Sequence, residues 1–337
     1  MSNSRQSKNS GFASATEVAR LAGVSRSAVS RTFTPGRSVS DETRSKVLAA
    51  AEALNYHVNH LARGLSKEAS RPVCILGGNL SSPYQSRLLE HLTLRLHKAG
   101  RAVMVINTDD GETSAKEALQ KTLNYRSTAT IVLSGKPPVS LIERCLQSGQ
   151  QVILINRLGQ FPHAENIDLD YSSIMKEAFN HLITAGCQRL AIVSSAARSP
   201  SMVVRETRFL EAAEEAGSEV TLIRPGNTSY QTGVLAAREL LNQENRPDGI
   251  FCVTDLIACG FIDAARHEFG LNIPQDICVI GFDDIEQASW LGYQLTTFAQ
   301  PLAEMAEAAC ERLLSPCVKK TGSQLFDARL VRRKTLR

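Results

Sequence analysis

The sequence has no apolar run that approaches the roughly 20 residues with which a helix crosses a bilayer, which argues against an integral membrane protein. Its first residues, Met1 to Gly11, are rich in serine and asparagine and lack the apolar segment of a secretory signal. We therefore expect a cytoplasmic protein.

Metal-binding cysteine patterns are also missing. The eight cysteines include no C-x-x-C pair, and most of them lie within apolar stretches. We expect reduced thiols that pack as small hydrophobic side chains. His57 and His60 have H-x-x-H spacing, but no nearby cysteine or carboxylate completes a set of ligands, so a metal site is the minor alternative. The sequence predicts neither a metal nor a cofactor.

The common catalytic motifs are absent as well. The sequence contains no G-x-x-x-x-G-K-[ST], no H-E-x-x-H, no G-x-S-x-G and no G-x-G-x-x-G after a strand. Catalytic residues can be scattered along a chain, so an enzyme stays an alternative. A protein without catalytic activity is the favoured interpretation.

Charged residues, by contrast, are unevenly distributed along the sequence. Of the 337 residues, 43% are hydrophobic and 21% charged, which is typical of a soluble globular protein with room for more than one domain. The net charge is +4, yet residues 1–65 alone contain nine basic and four acidic side chains, so the remainder is close to neutral. A basic N-terminal segment on a neutral body favours a polyanionic partner for that segment.

Capping signals predict helices in this basic segment. Ser14 with Glu17 three residues later forms a capping box, which marks the start of a first helix. Its buried face is predicted to contain Val18, Ala19, Leu21 and Ala22. Gly23 permits a sharp turn, and Ser25 is a favourable N-cap for a second helix that runs from Arg26 to about Phe33.

The second helix has two different faces. Its inner face is predicted to contain Ala28, Val29 and Phe33, which leaves the outer face to Arg26, Ser27, Ser30 and Arg31. After the turn-rich segment 34–38, a third helix is predicted from near Ser40 to Leu54. This layout is typical of a helix-turn-helix with a polar, basic recognition helix.

Residues 18–65 resemble the DNA-binding headpiece of the lactose-repressor and galactose-repressor family of bacterial transcription regulators. The matching segments are VARLAGVSRSAVSRTF, VSDETRSKV and AEALNYHVNHLARGL. The resemblance implies that Arg26, Ser27 and Arg31 reach base edges in the major groove, where arginine can bind guanine through two hydrogen bonds. It also implies phosphate contacts for several hydroxyl-bearing residues, for which helix capping is the alternative role: Ser14, Ser25, Thr34, Ser38 and Ser40.

The resemblance continues into residues 59–66, which match the family's hinge helix. Asn59 would cap this helix, and Leu61, Ala62 and Leu65 would share one side of it. Leu65 matches the leucine that wedges between base pairs in the minor groove, although a linker residue packed on the body is the alternative. A helix this short is marginal alone in water, so we expect it to form only when two hinges and DNA meet.

Beyond residue 72, short apolar strand candidates alternate with amphipathic helical stretches, a pattern typical of parallel α/β sheets. The strands are predicted near 73–76, 102–106, 130–133, 152–155, 190–193, 220–223, 250–253 and 278–280. Helical stretches include 87–99, 174–185, 205–216 and 257–269. Polar residues follow several of the strands, and ligands of open α/β sheets bind beyond these carboxyl ends.

This body resembles the periplasmic-binding-protein-like sensor of the same family, most clearly in FCVTDLIACGFIDAAR, IPQDICVIGFDDI and QLTTFAQP. The predicted fold class is therefore α/β, with an N-terminal all-α helix-turn-helix headpiece and a sensor of two parallel α/β subdomains. We expect a flexible tail at 1–13, the headpiece at 14–58, the hinge helix and linker at 59–71, and the sensor at 72–337. The resemblance implies three crossings between subdomain 1, about 72–168 and 298–328, and subdomain 2, about 169–297 and 329–337.

The resemblance further implies an effector site in the cleft between the subdomains. Four residues match ligand contacts of the family: Asn156, Arg205, Thr254 and Asp283. Three more are candidates for the rim, where ordinary packing is an equal alternative: Tyr84, Arg157 and Trp290. Asp255 and Asp284 are expected to cap helices or turns.

Three departures from the family pattern prevent the ligand from being inferred from lactose-binding or purine-binding members. Thr254 stands where asparagine is usual, Thr228 where an aromatic residue often covers the ligand, and Arg208 where a small residue is usual. Tyr230 or Trp290 could replace the missing aromatic cover. Because Arg157 and Arg205 both fall near the cleft, a sugar acid or sugar phosphate is a hypothesis beside a neutral sugar.

The sequence thus predicts a ligand-responsive regulator, a repressor that binds a palindromic operator as a homodimer without contact to membranes. The chain ends at Arg337 without a heptad extension, which favours a dimer over a tetramer. The alternatives are a sugar-binding module whose headpiece serves another purpose and an enzyme on the same α/β scaffold.

Overall fold

A computed structural model describes residues 12–34, 36–58, 71–108, 112–133, 138–157, 164–314 and 323–337. The chain divides into two compact units, Met1–Ser70 and Arg71–Arg337. The first unit is helical where it is described, and the second alternates strands with helices.

Three helices form the described part of the first unit: α1 (Ala15–Ala22), α2 (Arg26–Thr32) and α3 (Asp41–Ala53). Each follows a serine whose hydroxyl accepts a hydrogen bond from the backbone N–H three residues later. The predicted capping box is present, because the Ser14 N–H donates to the Glu17 carboxylate at 2.7 Å in return. Gly23 ends α1 with a φ of 66°, a conformation in which a side chain would be strained.

The core of the first unit is small and contains Val18, Val29 and Val47, each fully buried. The rings of Phe33 and Tyr56 pack against it with their centroids 5.6 Å apart. The prediction for Leu21 was wrong, since this side chain is 53% exposed. At 3.6 residues per turn, Leu21 points about 110° away from the middle of the buried face of α1.

The second unit contains twelve strands in its described ranges: β1 (Val73–Gly78), β2 (Val103–Thr108), β3 (Ala129–Val132), β4 (Gln151–Ile155), β5 (Glu165–Leu169), β6 (Leu190–Val193), β7 (Val220–Ile223), β8 (Gly249–Cys252), β9 (Cys278–Phe282), β10 (Thr296–Ala299), β11 (Ser323–Phe326) and β12 (Arg329–Val331). Its helices are α4 (Pro83–Lys98), α5 (Glu112–Asn124), α6 (Val139–Gln147), α7 (Tyr171–Thr184), α8 (Pro200–Glu215), α9 (Tyr230–Leu241), α10 (Asp255–His267) and α11 (Leu302–Leu314). A 3-10 turn spans Glu286–Ser289.

These strands form two six-stranded sheets. The first has the order β11-β5-β4-β3-β1-β2, and all its neighbours are parallel. The second has the order β12-β10-β9-β8-β6-β7 and is parallel except for β12, which pairs antiparallel with β10. The predicted α/β fold class is confirmed.

The chain passes between the two sheets three times. It leaves the first sheet after β5, returns after β10, and crosses again between β11 and β12. We call the part built on each sheet a half of the second unit. Phe298 and Ala299 belong to the second sheet, two residues beyond the boundary expected from the sequence.

Four strands were not predicted: β5, β10, β11 and β12. They are short and carry polar residues, as in the segments ENIDL and SQLF. Both β11 and β12 are edge strands, where one side of the strand is not covered by a neighbour and a continuous apolar run is not required.

Helices α9 and α10 approach each other through two glycines. A Cβ on Gly260 would lie 1.9 Å from the carbonyl oxygen of Tyr230, and one on Gly233 would lie 1.9 Å from that of Ile257. No side chain fits at either position, so the glycines set the distance between the two helices.

Candidate functional site

The outer face of α2 is polar. Arg26, Ser27 and Arg31 are exposed, whereas Val29 on the same helix is fully buried. Arg31 Nε donates to the Ser27 carbonyl at 3.4 Å, within one helical turn. The exposed arginines therefore stand on a helix whose opposite face is anchored in the core.

The hydroxyl-bearing residues predicted to contact phosphate lie at the surface of the first unit. Ser14, Ser25 and Ser40 are exposed N-caps. The Ser14 hydroxyl donates to the Glu17 carboxylate at 2.8 Å and the Ser40 hydroxyl to Thr43 at 2.9 Å, so either proton must reorient before it can bind a phosphate. Ser38 is exposed, and the half-buried Thr34 donates to the Ser30 carbonyl at 2.6 Å. The remaining predicted positions lie outside the described residues: Asn59, Ala62 and Leu65.

A cavity of about 390 Å³ lies between the two halves of the second unit. Its walls include residues just after β1, β3 and β4 on one side and after β6, β8 and β9 on the other. Six of the seven predicted effector residues line it: Tyr84, Asn156, Arg157, Arg205, Thr254 and Asp283. Polar side chains from both sheets thus meet at the carboxyl ends of the strands, as the sequence predicted.

A chain of hydrogen bonds and one ion pair crosses this cavity region. Asn156 Nδ2 donates to the Tyr84 hydroxyl at 2.8 Å and to Gln300 Oε1 at 3.1 Å. Gln300 Nε2 donates to Asp283 Oδ1 at 2.7 Å, and that oxygen lies 3.5 Å from Arg205 Nη1. Gln300 follows β10, where the chain returns to the first half, so this residue connects cavity-lining groups of both halves.

Asp283 and Arg205 form a buried pair at the second-half wall. Burial raises the pKa of the Asp283 carboxyl to about 6, against the opposing effects of Arg205 and Gln300. The Arg205 guanidinium lies 3.7 Å from the centroid of the Phe282 ring and donates to the Val253 carbonyl at 2.6 Å. The pair offers a ligand an acceptor and a donor whose positions are fixed by packing.

Asn156 is a third polar group of the cavity lining. It is 5% exposed and has a φ of 53°, a left-handed conformation that asparagine tolerates better than most residues. Its side-chain oxygen is buried and accepts no hydrogen bond from the described residues.

Thr254 and Arg157 have contacts within the protein as well. The Thr254 hydroxyl accepts the N–H of Ile257 at 3.4 Å and so caps α10. Arg157 is buried and donates to the Leu133 carbonyl at 2.6 Å, which directs its charge partly into the wall of the first half. Asp255 has the expected structural role, since it accepts hydrogen bonds from the Ile285 N–H and the Thr297 hydroxyl.

Three sequence predictions about the cavity are corrected. Trp290 is 49% exposed and is absent from the cavity lining, so it forms no part of the rim. Tyr230 donates to Asp263 at 2.8 Å on α10 and does not replace an aromatic cover. Arg208 is exposed and pairs with Glu211 at 2.6 Å, so it leaves the ligand cavity unchanged.

Gln300 and the starts of two helices were not among the predicted effector residues. Ser82 precedes α4 and Ser199 precedes α8, and both serines line the cavity without capping their helix. In each case the next residue is a proline, a common first residue of a helix, so the Ser-Pro pairs were a usable signal. Helix N-termini favour polar or anionic ligand groups.

Among the residues that the structure describes, no helix combines the length and apolar character needed to cross a membrane. The described ranges also hold no group of three or more histidine, cysteine, aspartate or glutamate side chains arranged for a metal ion.

Known proteins of similar sequence and structure share this two-part organisation. Residues 15–59 match the family model of bacterial regulatory proteins, lacI family, and residues 179–336 match that of a periplasmic binding protein-like domain. Catabolite control protein A of Priestia megaterium is 28% identical over 90% of this chain and 92% of its own. The transcriptional repressor PurR of Klebsiella pneumoniae subsp. pneumoniae is 28% identical over 95% of this chain and 96% of its own.

The structural likeness extends over nearly the whole chain. A crystal structure of the lac repressor dimer bound to operator and the anti-inducer ONPF has a TM-score of 0.85, with 25% sequence identity. It covers 96% of this chain and 99% of that one. The likeness therefore extends over both units and their order along the sequence. The chain thus carries a DNA-binding segment of the lacI family of bacterial regulatory proteins, followed by a periplasmic binding protein-like domain.

Proposed function

We propose that the protein is a ligand-responsive transcription repressor that binds operator DNA through its first unit and a small effector through its second. The observation that carries this proposal is the combination, in one chain, of exposed arginines on α2 with a cavity lined by Arg205, Asp283 and Asn156. The cavity volume of about 390 Å³ suits a small ligand, since such sites usually measure roughly 300–1,000 Å³.

In this proposal the outer face of α2 reads the major groove. Arg26 and Arg31 bind base edges, and Ser27 is short enough to allow close approach. Five surface hydroxyls orient the headpiece on the phosphates: Ser14, Ser25, Thr34, Ser38 and Ser40. The hinge contacts Asn59, Ala62 and Leu65 remain part of the proposal through their match to the family's hinge sequence, with Leu65 as the minor-groove wedge.

We further propose a homodimer on a palindromic operator. The turn at 290–293 exposes Trp290 by 49% and Leu291 by 94%. This turn is held to α10, because Tyr293 donates to Asp263 at 2.8 Å and Arg266 donates to the Gly292 carbonyl. An exposed apolar turn on a fixed support is typical of a protein interface, and a two-fold dimer would match two half-sites of DNA.

The proposed effector is a hydroxyl-rich molecule of the sugar class, neutral, acidic or phosphorylated. Asp283 and the unpaired oxygen of Asn156 would accept hydrogen bonds from hydroxyl groups on opposite sides of the cavity. Arg205 and the starts of α4 and α8 would stabilise an acid or phosphate group.

Regulation follows from the position of these groups on different halves. A ligand that bonds to Asn156 and Asp283 together stabilises the closure in which both contacts are made. If that closure has a different affinity for the operator, ligand and DNA affinities are coupled by the same factor.

The test is a thermal-shift screen of the full chain against neutral sugars, sugar acids, sugar phosphates and nucleobases. A ligand raises the melting temperature by mass action when it binds the native state. We expect one class to stabilise the protein selectively and then to change its affinity for a selected operator. Asp283→Asn should remove the stabilisation, whereas Asp276→Asn on the surface should not.

Two results would contradict the proposal. One is a stabilising ligand whose effect survives Asp283→Asn, since the binding site would then lie elsewhere. The other is equal affinity of the protein for all DNA sequences.

A further inference from the structure

A second cavity, of about 440 Å³, lies at the amino ends of strands in the first sheet. Its lining contains Arg71, Ser127 and Gln150, which come shortly before β1, β3 and β4. The effector cavity is lined by residues that follow the same three strands. Because these strands are parallel, the second cavity lies at their amino ends and the effector cavity at their carboxyl ends. The two cavities therefore cannot hold the same ligand molecule.

The second cavity is basic. Its lining contains three arginines and no aspartate or glutamate among the described residues: Arg71, Arg126 and Arg144. Arg126 and Arg144 are exposed, so their guanidinium groups can reach a dissolved ligand. The floor is polar and ordered, because the buried Gln150 donates to the Thr122 carbonyl at 3.0 Å and Ser127 is 3% exposed.

The backbone of Arg126 sets this residue apart. Four helices of the second unit, α4, α6, α7 and α8, end two residues before a glycine with positive φ. These glycines are Gly100, Gly149, Gly186 and Gly217, with φ values of 68°, 80°, 79° and 68°. At the same place after α5 stands Arg126, with a φ of 48°.

The hydrogen bonds after these helices follow one pattern. The Arg126 N–H donates to the Leu123 carbonyl at 2.9 Å, as the Gly149 N–H donates to that of Leu146 at 3.0 Å. The next residue, Ser127, donates to Thr122 at 3.1 Å, as Gln150 donates to Cys145 at 3.1 Å. Glycine would adopt this left-handed turn with less strain, so the arginine at this position costs some stability.

We propose that this cavity binds the phosphate group of a small dissolved anion, such as an oligophosphate or a phosphate monoester, between Arg126 and Arg144. A guanidinium group forms two parallel hydrogen bonds with a phosphate and keeps its charge at all physiological pH values. Arg71 adds a third positive charge at the edge of the site. The site is separate from the effector cavity and does not depend on the function proposed above.

The test uses the full chain and sodium pyrophosphate as the probe, against sodium chloride at equal ionic strength. For the wild type we expect the melting temperature to rise by about 3 °C at ten times the dissociation constant. Arg126→Gly should melt no lower than the wild type without the probe, because it relieves the strained turn. With pyrophosphate it should lose most of the rise, and Arg144→Gln should lose part of it.

The matched control is Arg198→Gly. Arg198 is also an exposed arginine with a left-handed backbone, at a φ of 47°, but it does not line the second cavity. This variant removes the same charge and the same kind of strain, and it should keep the full response to pyrophosphate.

Three outcomes would overturn the proposal. The first is no pyrophosphate effect on the wild type. The second is an unchanged effect in Arg126→Gly, which would assign binding to another site. The third is a loss of operator affinity in Arg126→Gly when the wild type itself does not respond to pyrophosphate, which would assign the arginines to the DNA backbone.

Discussion

Gln300 and Asp283 share a hydrogen bond of 2.7 Å between side chains that are both at least nine-tenths buried. Gln300 also accepts a hydrogen bond from Asn156, so its amide group fixes both the carboxylate and the amide that face the cavity. Gln300 lies where the chain returns from the second half to the first. Through these two hydrogen bonds it positions a polar group on each wall of the cavity.

The first prediction concerns Gln300→Glu. A second carboxyl group beside Asp283 should keep one proton shared between the two at neutral pH, because adjacent like charges raise the pKa. We expect the effector affinity of Gln300→Glu to be at least tenfold lower than that of the wild type. On acidification, the affinity of the variant should begin to fall at a higher pH than the affinity of the wild type. Calorimetric titration between pH 5 and pH 8 measures both, with Gln243→Glu, an exposed position two residues after α9, as the control. An unchanged pH profile would contradict the positioning role.

The second prediction concerns Asp255, whose pKa burial raises to about 7. The unfolded carboxyl has an ordinary pKa near 3.8, so the folded state binds the proton more tightly. This group therefore lowers the free energy of unfolding as the pH rises from about 4 to about 7, and adds no further change above that. In Asp255→Asn we expect the free energy of unfolding to fall less over this pH range. At pH 8 the variant should be as stable as the wild type or more stable. Denaturant unfolding at several pH values measures it, and an identical pH dependence would contradict the assignment.

The third prediction concerns the contact between α9 and α10. In Gly260→Ala the new Cβ would lie 1.9 Å from the Tyr230 carbonyl oxygen, so the helices must separate. We expect a loss of about 3 kcal/mol or more in the free energy of unfolding, as for other overpacked sites. The control is Gly292→Ala, where a Cβ meets no atom within 4 Å. Equal stability of the two variants would show that α9 and α10 can separate at little cost in free energy.

The fourth prediction concerns Arg31. Arg31→Ala should weaken binding to a selected operator by about 1–3 kcal/mol and relax the preference at one base position. Arg20→Ala, which removes an exposed arginine from α1, should have a smaller effect. Fluorescence anisotropy against a panel of single-base operator variants measures both quantities. Equal weakening on every sequence would instead indicate a phosphate contact.

The fifth prediction concerns the exposed turn at 290–293. Leu291→Asp should shift the protein toward the monomer, since a charge would be buried at an apolar interface without a partner. Sedimentation velocity at several concentrations measures the shift. Leu325→Asp changes another exposed leucine, 60% accessible on the edge strand β11, and should leave the assembly unchanged. A fully dimeric Leu291→Asp would remove this turn from the interface.

The sequence predicted best the features whose causes are local. The Ser14–Glu17 capping box, the turn at Gly23 and most apolar strands depend on residues a few positions apart, and the structure contains them. The assignment of Leu21 failed because α1 is too short for spacing alone to identify which side meets α2 and α3.

The candidate site was predictable only in part, because its partners are distant in sequence. Asn156 and Gln300 are 144 positions apart, and no local pattern links them. Trp290 was placed at the rim because aromatic residues suit sugar ligands, but the turn after β9 directs it away from the cavity lining. Arg126 had no signal in the sequence, since its importance depends on a φ angle that a sequence does not reveal.

The pairing of β11 with β5 and of β12 with β10 has a consequence for synthesis of the chain on the ribosome. Residues 323–337 supply an edge strand to each sheet, and Thr335 also exchanges hydrogen bonds with Val279 of β9. Neither half can complete its sheet while these residues are still inside the ribosomal exit tunnel. A premature stop codon shortly before residue 323 would therefore remove an edge strand from both halves at once.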